Sequence, residues 1–584
     1  MVRCLCGALS AETWIGKAKR KGTHSVDNET HTHTNDETTA ATVAAAKQQD
    51  VSAKEKMLRG SSWLTIGSIF SRILGAIYVI PWYAWLGPSR LQANALYTKG
   101  YTLYSTFLMI STAGVPNAVS KQVSHYNSQN EYGIGRRLFR KCLALLTGLG
   151  VVCAAIMWFA APYITQGSKA VIPVYRSLAV ALIVIPALSL TRGYFQGYQD
   201  MAPSAISQLA EQLVRVLYML LATFLIMRVW QGHYQTAIVQ STFAAFIGAS
   251  AGLLVLGWFL MRNRRQHDLL VAQSNNELVV SDRRIIKDVL IQSIPFIIIG
   301  AAFNGYNLFD LISFQPIMRM TTNLSVHAVN NLYALFAGNA NKLMMIVISL
   351  AVAMGDTSIP VLSEMFTKKD YEGVRRQITD AIELFLIVMV PAALGMAAVS
   401  RPLYTLFYGY DLQGFFVLCV AAYMAVFIGL FYLLSAVLQG IYENKRAIKY
   451  TLMGLGTKII IQFPLTAVLH AYGPLLATGI GMMVTDILIF RYMYYRYNLQ
   501  TDHLQQTFNR LVSFGLIMFA VVTAFVWLSG HVLNIFSRFQ SMITIVLAGI
   551  IGAALYGYLC LRSRVADDVL GSRVAGLRRV FHIR

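Results

Sequence analysis

Charge is what this sequence has least of. Only 13% of its 584 residues are Asp, Glu, Lys or Arg, and 56% are hydrophobic, whereas a soluble domain carries about a quarter charged residues. That shortage excludes an ordinary soluble protein. Cysteine is scarce as well: six residues, with Cys4 and Cys6 near the amino terminus and Cys142, Cys153, Cys419 and Cys560 in or near apolar runs. No disulfide framework or zinc spacing follows from them, and Cys4-x-Cys6 with His31 and His33 reads as incidental thiols. The chain also lacks a Walker-type Gly-Lys-Ser/Thr loop, a His-Cys metal set and paired carboxylates on a sizeable loop, so nucleotide, hydrolytic and transferase chemistry find no support. No metal or cofactor is expected. Residues 1–56 lack aromatic density and periodicity; they read as a disordered tail, without the apolar core and cleavage site of a signal peptide.

What is abundant is apolar runs. Fourteen lie near 63–87, 95–116, 139–163, 171–191, 205–227, 236–261, 288–314, 328–354, 379–399, 415–439, 448–470, 473–495, 511–531 and 539–561. Each approaches the roughly 20 residues that cross a hydrocarbon core as a helix. The expected fold is an all-α polytopic membrane protein with about 14 transmembrane helices. The formal charge of +22 raises the question of nucleic acid, and the placement of the cations answers it. Of the 49 lysines and arginines, eight fall in one set of loops and four, Arg72, Arg215, Lys342 and Lys458, within spans. The rest occupy the alternate loops and both tails, which makes that side cytoplasmic. A multi-pass plasma membrane protein with both termini inside is expected, with membrane lipids and no nucleic acid as partners.

Two halves are legible. Gln196-Gly197 and Gln439-Gly440 each precede a cytoplasmic turn at an offset of 243 residues, which also carries Asp200 onto Glu443 and Arg215 onto Lys458. Lobes with an even number of spans are parallel repeats about an axis along the membrane normal, with the working cavity between them. The expected organisation is a tail (1–56), an N-lobe of spans one to six (57–265), a linker (266–287), a C-lobe of spans seven to twelve (288–498), spans thirteen and fourteen (499–565), and a basic tail (566–584).

Several motifs are similar to those of a known group. Ser71-Arg72-Ile73-Leu74-Gly75, Gly114-Val115-Pro116 with Ser120-Lys121, and Arg192-Gly193-Tyr194-Phe195-Gln196-Gly197 followed by Pro203-Ser204 and Glu211-Gln212 resemble the polysaccharide branch of the multidrug/oligosaccharidyl-lipid/polysaccharide exporter superfamily. Within it the chain resembles Gram-positive lipid II flippases and stage V sporulation protein B relatives over about residues 57–565. The resemblance implies a V-shaped two-lobed transporter, not an enzyme, that moves polyprenyl-diphosphate-linked sugars from the inner to the outer leaflet by alternating access. A monomer is expected. It implies that Arg72 and Lys342 meet the diphosphate. Many relatives carry a further first-span Arg where this chain has Tyr78.

Intramembrane charges cost at least about 2.5 to 3.5 kcal/mol at the bilayer centre, so they face protein or water. Arg72 offers paired donors to phosphate and Lys342 a point charge; the competing roles are a buried pair of Arg72 with Asp310 or Glu211, and interlobe bonding of Lys342 through Asn339 and Asn341. Asn304, Asn307 and Asp310 form a polar stripe on the seventh span, suited to cavity lining, pairing with Arg72 or binding a coupling cation. Glu211 and Arg215, four residues apart, are expected to pair, leaving Arg215 a lesser cavity cation. Lys458, like Asp310, Asn307 and Glu211, is a candidate for cavity lining or ion coupling, and a structural pair with Asp486 is the competing role. Arg192 sits where it would meet an incoming headgroup. Membrane potential or an ion gradient is the expected driving force. The alternatives are export of another lipid-linked polysaccharide unit, a drug or cation antiporter of the same superfamily, and, least supported, a membrane glycosyltransferase.

Overall fold

The computed structural model describes residues 74–75, 77–112, 114–164, 169–198, 200–274, 281–499, 501–534 and 536–566, and over most of 282–303 the backbone alone. Regular structure among these residues is entirely helical. The chain runs through α1 (Val79–Leu86), α2 (Arg90–Thr112), α3 (Val115–Ser128), α4 (Tyr132–Ile164), α5 (Ile172–Gly197), α6 (Ala202–Phe224), α7 (Tyr234–Arg262) and the short α8 (Arg264–Ala272). It continues through α9 (Asp282–Thr321), α10 (Val326–Tyr333), α11 (Asn341–Thr367), α12 (Tyr371–Ala398), α13 (Ser400–Tyr408), α14 (Leu412–Gly440), α15 (Asn444–Leu469), α16 (Tyr472–Tyr497), α17 (Thr501–Val532) and α18 (Arg538–Arg562). Polar residues between apolar runs start several of them: Ser325, Asp370, Asp411 and Ser537 each accept a hydrogen bond from a first-turn backbone N–H, satisfying donors that a helix start leaves open.

Eleven helices among the described residues are long and apolar enough to cross a membrane. Side chains such as Leu217, Leu254, Ile460, Val468, Trp527 and Ile550 stay exposed on their outer faces, as expected where lipid is the solvent. Three of the fourteen expected spans are not among the eleven. The first lies largely outside the described residues; the seventh forms as the 40-residue α9. The second forms as α2, whose Asn94, Tyr97, Thr98, Lys99, Tyr101 and Thr102 make it too polar for an apolar criterion.

The helices fall into two packed sets, α3–α7 and α11–α16. Leu138, Val119, Val123 and Leu190 build a core in the first, Phe385, Leu433, Leu438, Ile489 and Met493 one in the second, to which Leu511 and Val522 dock α17. Between them lies an aromatic centre containing Tyr83, Tyr97, Tyr306, Phe314, Tyr333, Phe336, Tyr404 and Tyr408.

The sequence motifs pack on one another. Gly114 takes φ +67°, which favours glycine, and breaks α2 from α3. A Cβ on Gly193 would collide with the carbonyl of Pro116, and one on Gly197 would stand 2.7 Å from Val123 Cβ and 2.9 Å from Ser120 O. In the other half, a Cβ on Gly440 would stand 2.9 Å from Leu362 Cβ and 3.2 Å from Ile359 O. The turns match as well: Asp200 N donates to Phe195 O at 3.1 Å and Glu443 N to Leu438 O at 2.9 Å, the same bond 243 residues on. Recurrence of a close approach together with its turn is what duplication produces.

Gly193→Val is therefore expected to drive α5 off α3, costing about 1–3 kcal/mol from overpacking and lowering the melting midpoint in detergent. Gly257→Ala, where nothing lies within 4 Å, should leave that midpoint unchanged or raise it slightly. Equal melting of the two variants would contradict the packing account.

Candidate functional site

A cavity of about 300 Å³ opens between the two sets of helices. One wall is α2, with Tyr97, Thr98, Tyr101 and Thr102; Tyr78 and Arg215 adjoin it, and Asn307, Asp310, Tyr333, Asn341 and Lys342 face it from the other half. Two cations thus share one cavity, one supplied by each half. Polar spacing explains α2: Asn94, Tyr97, Thr98, Tyr101 and Tyr104 recur at helical intervals and form one stripe.

The cations bracket a pair of tyrosine rings. Tyr97 and Tyr101 stack with centroids 4.5 Å apart. The Lys342 ammonium lies 4.8 Å from the Tyr97 centroid and 5.4 Å from that of Trp82, while the Arg215 guanidinium lies 5.3 Å from the Tyr101 centroid. Ring faces attract cations without neutralising them. Arg215 Nη2 donates to Tyr101 OH at 2.5 Å and Lys342 Nζ to Asn94 Oδ1 at 2.9 Å. Among the described residues neither cation has a carboxylate partner. Both keep donors for an anion, and the aromatic wall limits competition from water.

Several expected pairings are replaced by others. Glu211 does not hold Arg215. It accepts from Arg192 Nη2 at 2.8 Å, and Arg192 Nε donates to Ser207 Oγ at 2.7 Å. Four-residue spacing permits the Glu211–Arg215 contact, but the crossing of α5 over α6 brings a better-placed guanidinium. Arg192 is consequently tied into the N-half at its basic end, with its side chain 20% exposed. Lys458 does not meet Asp486 either; its Nζ stands 2.8 Å from Asp310 Oδ1 and donates to Tyr306 O and Thr478 Oγ1, each at 2.8 Å. The pair joins α9 to α15 with Lys458 wholly buried. Asp310 forms cavity wall, neutralised from behind.

Arg215 and Lys458 do occupy matching places. A Cβ on Gly248 would stand 2.7 Å from both Arg215 Cβ and Glu211 O; one on Gly481 would stand 3.2 Å from Lys458 Cβ and 2.7 Å from Gly454 O. Positions 211 and 454, like 215 and 458, are related by the repeat. One fold position thus carries a cavity cation in one half and a sealed structural cation in the other. Asn307 lies on the cavity wall; Arg72 lies outside the described residues. Asn94, Tyr97, Tyr101 and Trp82 were not singled out in the sequence, although the tyrosine periodicity of a weakly apolar span was the available signal.

At the basic end, α8 docks on the N-half. Arg136 Nη1 bonds Asp268 Oδ1 at 2.5 Å, and the His267 ring stacks on Tyr198 at 4.8 Å. Burial, then the nearby Arg136 charge, holds His267 below the ordinary histidine range, and burial raises the Asp200 carboxyl.

Helices of this number and an anion-ready cavity between two halves define a polytopic membrane carrier. The chain belongs to the polysaccharide biosynthesis protein family, which matches residues 57–366. It is 33% identical over 546 residues to the lipid II flippase MurJ of Bacillus subtilis (strain 168), covering 90% of this chain and 98% of that one. It is 23% identical over 449 residues to stage V sporulation protein B of the same organism, covering 75% and 83%. In fold it is similar to a solved lipid II flippase MurJ in an inward closed conformation, with TM-score 0.59 and 14% identity over 87% of this chain and 99% of that one. An inward-facing multidrug resistance MATE transporter of the MOP superfamily gives TM-score 0.56 at 16% identity, over 74% and 99%.

Proposed function

We propose that this protein is a flippase that moves a polyprenyl-diphosphate-linked cell-wall precursor, lipid II, from the inner to the outer leaflet by alternating access. The observation that carries the reading is the cavity bearing Arg215 and Lys342 without carboxylate partners, in a chain whose relative of 33% identity is named for lipid II. A diphosphate is the group such cations recognise: the guanidinium gives directional paired donors and the ammonium a compact charge. Arg72, by the resemblance of its motif, joins them. The excess of lysine and arginine in alternate loops and both tails supports cytoplasmic termini. An inside-negative potential favours outward movement of an anionic headgroup, at about 2.3 kcal/mol per charge per 100 mV, so membrane potential supplies the drive.

A cation antiporter needs acidic groups free in the cavity. Among the described residues the acid lining the cavity, Asp310, is already held by Lys458, and Arg215 and Lys342, which have no carboxylate partner among those residues, would repel the cargo.

Replacement of the resident lipid II flippase in cells depleted of it tests the proposal. Growth, with lipid II reaching externally added label, is expected. Failure by a correctly inserted protein would direct the reading to another lipid-linked polysaccharide unit.

A further inference from the structure

Asn94 is fully buried, and its amide is used at both ends. Oδ1 accepts from Lys342 Nζ at 2.9 Å, and Nδ2 donates to Asn339 Oδ1 at 2.8 Å. An ammonium only donates, so Lys342 dictates which way this amide points. Asn339, also fully buried, continues the chain: Oδ1 accepts from Tyr83 OH at 2.5 Å, Nδ2 donates to Tyr404 OH at 2.6 Å, and its carbonyl accepts from Tyr408 OH at 3.1 Å. Tyr83 and Asn94 belong to the first half; Asn339, Lys342, Tyr404 and Tyr408 belong to the second. The network therefore crosses between halves, and only one of its members, Lys342, faces the cavity.

Its position is specific. Asn94 lies one turn from Tyr97 and Thr98 of the cavity wall, toward the start of α2 at Arg90. Asn339 lies three residues before Lys342, in a π-helical segment at Ala334–Ala340. Both are on the side of the cavity away from the basic loops. A Cβ on Gly338 would collide with Asn94 Nδ2, so the widened turn and its glycine make the room that the amide occupies. Single π turns inside helices commonly mark such working positions.

We propose that Asn94 and Asn339 are positioning residues that tie the cavity cation to the closure of the outer end, so that an anionic diphosphate drawing Lys342 away releases the contact between halves. The proposal rests on the diphosphate reading and adds its regulation. A buried amide whose carbonyl loses its donor is costly, and a connected network is held or lost as a unit. The closed end is thereby most stable while Lys342 has no anion, and binding favours the state in which the end opens.

Spin labels at positions 233 and 324, both exposed and in loops of opposite halves, report the separation of the outer ends in the full chain in lipid nanodiscs, after the native cysteines are replaced. Farnesyl diphosphate is the probe. It should lengthen the wild-type distances. Asn339→Ala should show the longer distances without ligand and bind the probe about five- to tenfold more tightly, because the ligand no longer breaks the network itself. Asn94→Ala, which leaves in place the bonds Asn339 accepts from Tyr83 and Tyr408 and donates to Tyr404, should behave likewise and serves if Asn339→Ala does not reach the membrane. A purely structural role predicts weaker binding. Wild-type distances in both variants, or longer distances with equal or weaker binding, would overturn the tie. If the wild type binds no farnesyl diphosphate, the substrate reading fails separately; ligand-free distances in Lys342→Ala, Asn94→Ala and Asn339→Ala then decide the tie, longer ones supporting it and unchanged ones ending it.

Discussion

Arg215→Ala and Lys342→Ala are each expected to lower flipping by about 10- to 100-fold while leaving the protein in the membrane at normal levels. A hydrogen bond to a charged group contributes about 1.5–3 kcal/mol, and each 1.4 kcal/mol is about tenfold in an equilibrium constant. The double variant should fall below detection in the replacement assay. Its loss need not equal the product of the single losses, because both cations rest on the same Tyr97–Tyr101 stack and sites that share partners couple. Lys342→Arg and Arg215→Lys discriminate further. A guanidinium at 342 keeps the charge but is bulkier than the ammonium that bonds Asn94 Oδ1, whereas an ammonium at 215 loses the fork that reaches both Tyr101 and a ligand. Lys342→Arg should retain part of the activity and Arg215→Lys less. Wild-type rescue by the alanine double variant would end the clamp reading.

The largest stability effect belongs to a residue that never meets substrate. Lys458→Met strands the Asp310 carboxylate in the wall with its ion-pair partner removed. Removing one partner of a buried pair costs about 3–5 kcal/mol, whereas replacing both is often neutral. The single variant should therefore lose most of its folded population in detergent, and Lys458→Met with Asp310→Asn should recover it. Thermal unfolding monitored by size-exclusion fluorescence reads both. An unshifted midpoint in Lys458→Met would show that the pair does not anchor α15 to α9. Arg215→Ala provides the contrast: its bonds are to a tyrosine at a cavity edge, and the midpoint should move little.

The pair of cations illustrates what an internal repeat conveys. Offset alone aligns Arg215 with Lys458, and the glycines at 248 and 481 confirm that the backbone treats them alike. Their roles diverge because one neighbour differs. Asp310 reaches Lys458 from α9, whereas the carboxylate nearest Arg215 in sequence, Glu211, is taken by Arg192. Local spacing cannot rank such competitors, since a one-turn separation merely allows a bond and the crossing of a third helix chooses it.

The sequence by itself determined the solvent of this fold and its family, and its loop charges set the expected orientation. Those properties are additive: apolar length, loop charge and short motifs such as Arg192-Gly193-Tyr194-Phe195-Gln196-Gly197 are read along one strand of text, and the hydrophobic cost that enforces them acts residue by residue. The tyrosine-rich second span was read only as one more apolar run, and its role as a cavity wall came from the structure. Tertiary structure alone decided which charges are free. Arg192, Arg215, Lys342 and Lys458 look equivalent as intramembrane or helix-end cations; packing ties two to carboxylates and leaves two on a cavity wall, one of which, Lys342, is bonded to Asn94 of the opposite half. In a medium of low dielectric the fate of a charge depends on its few nearest neighbours, and for Arg215, Lys342 and Lys458 those neighbours include residues more than a hundred positions away along the chain.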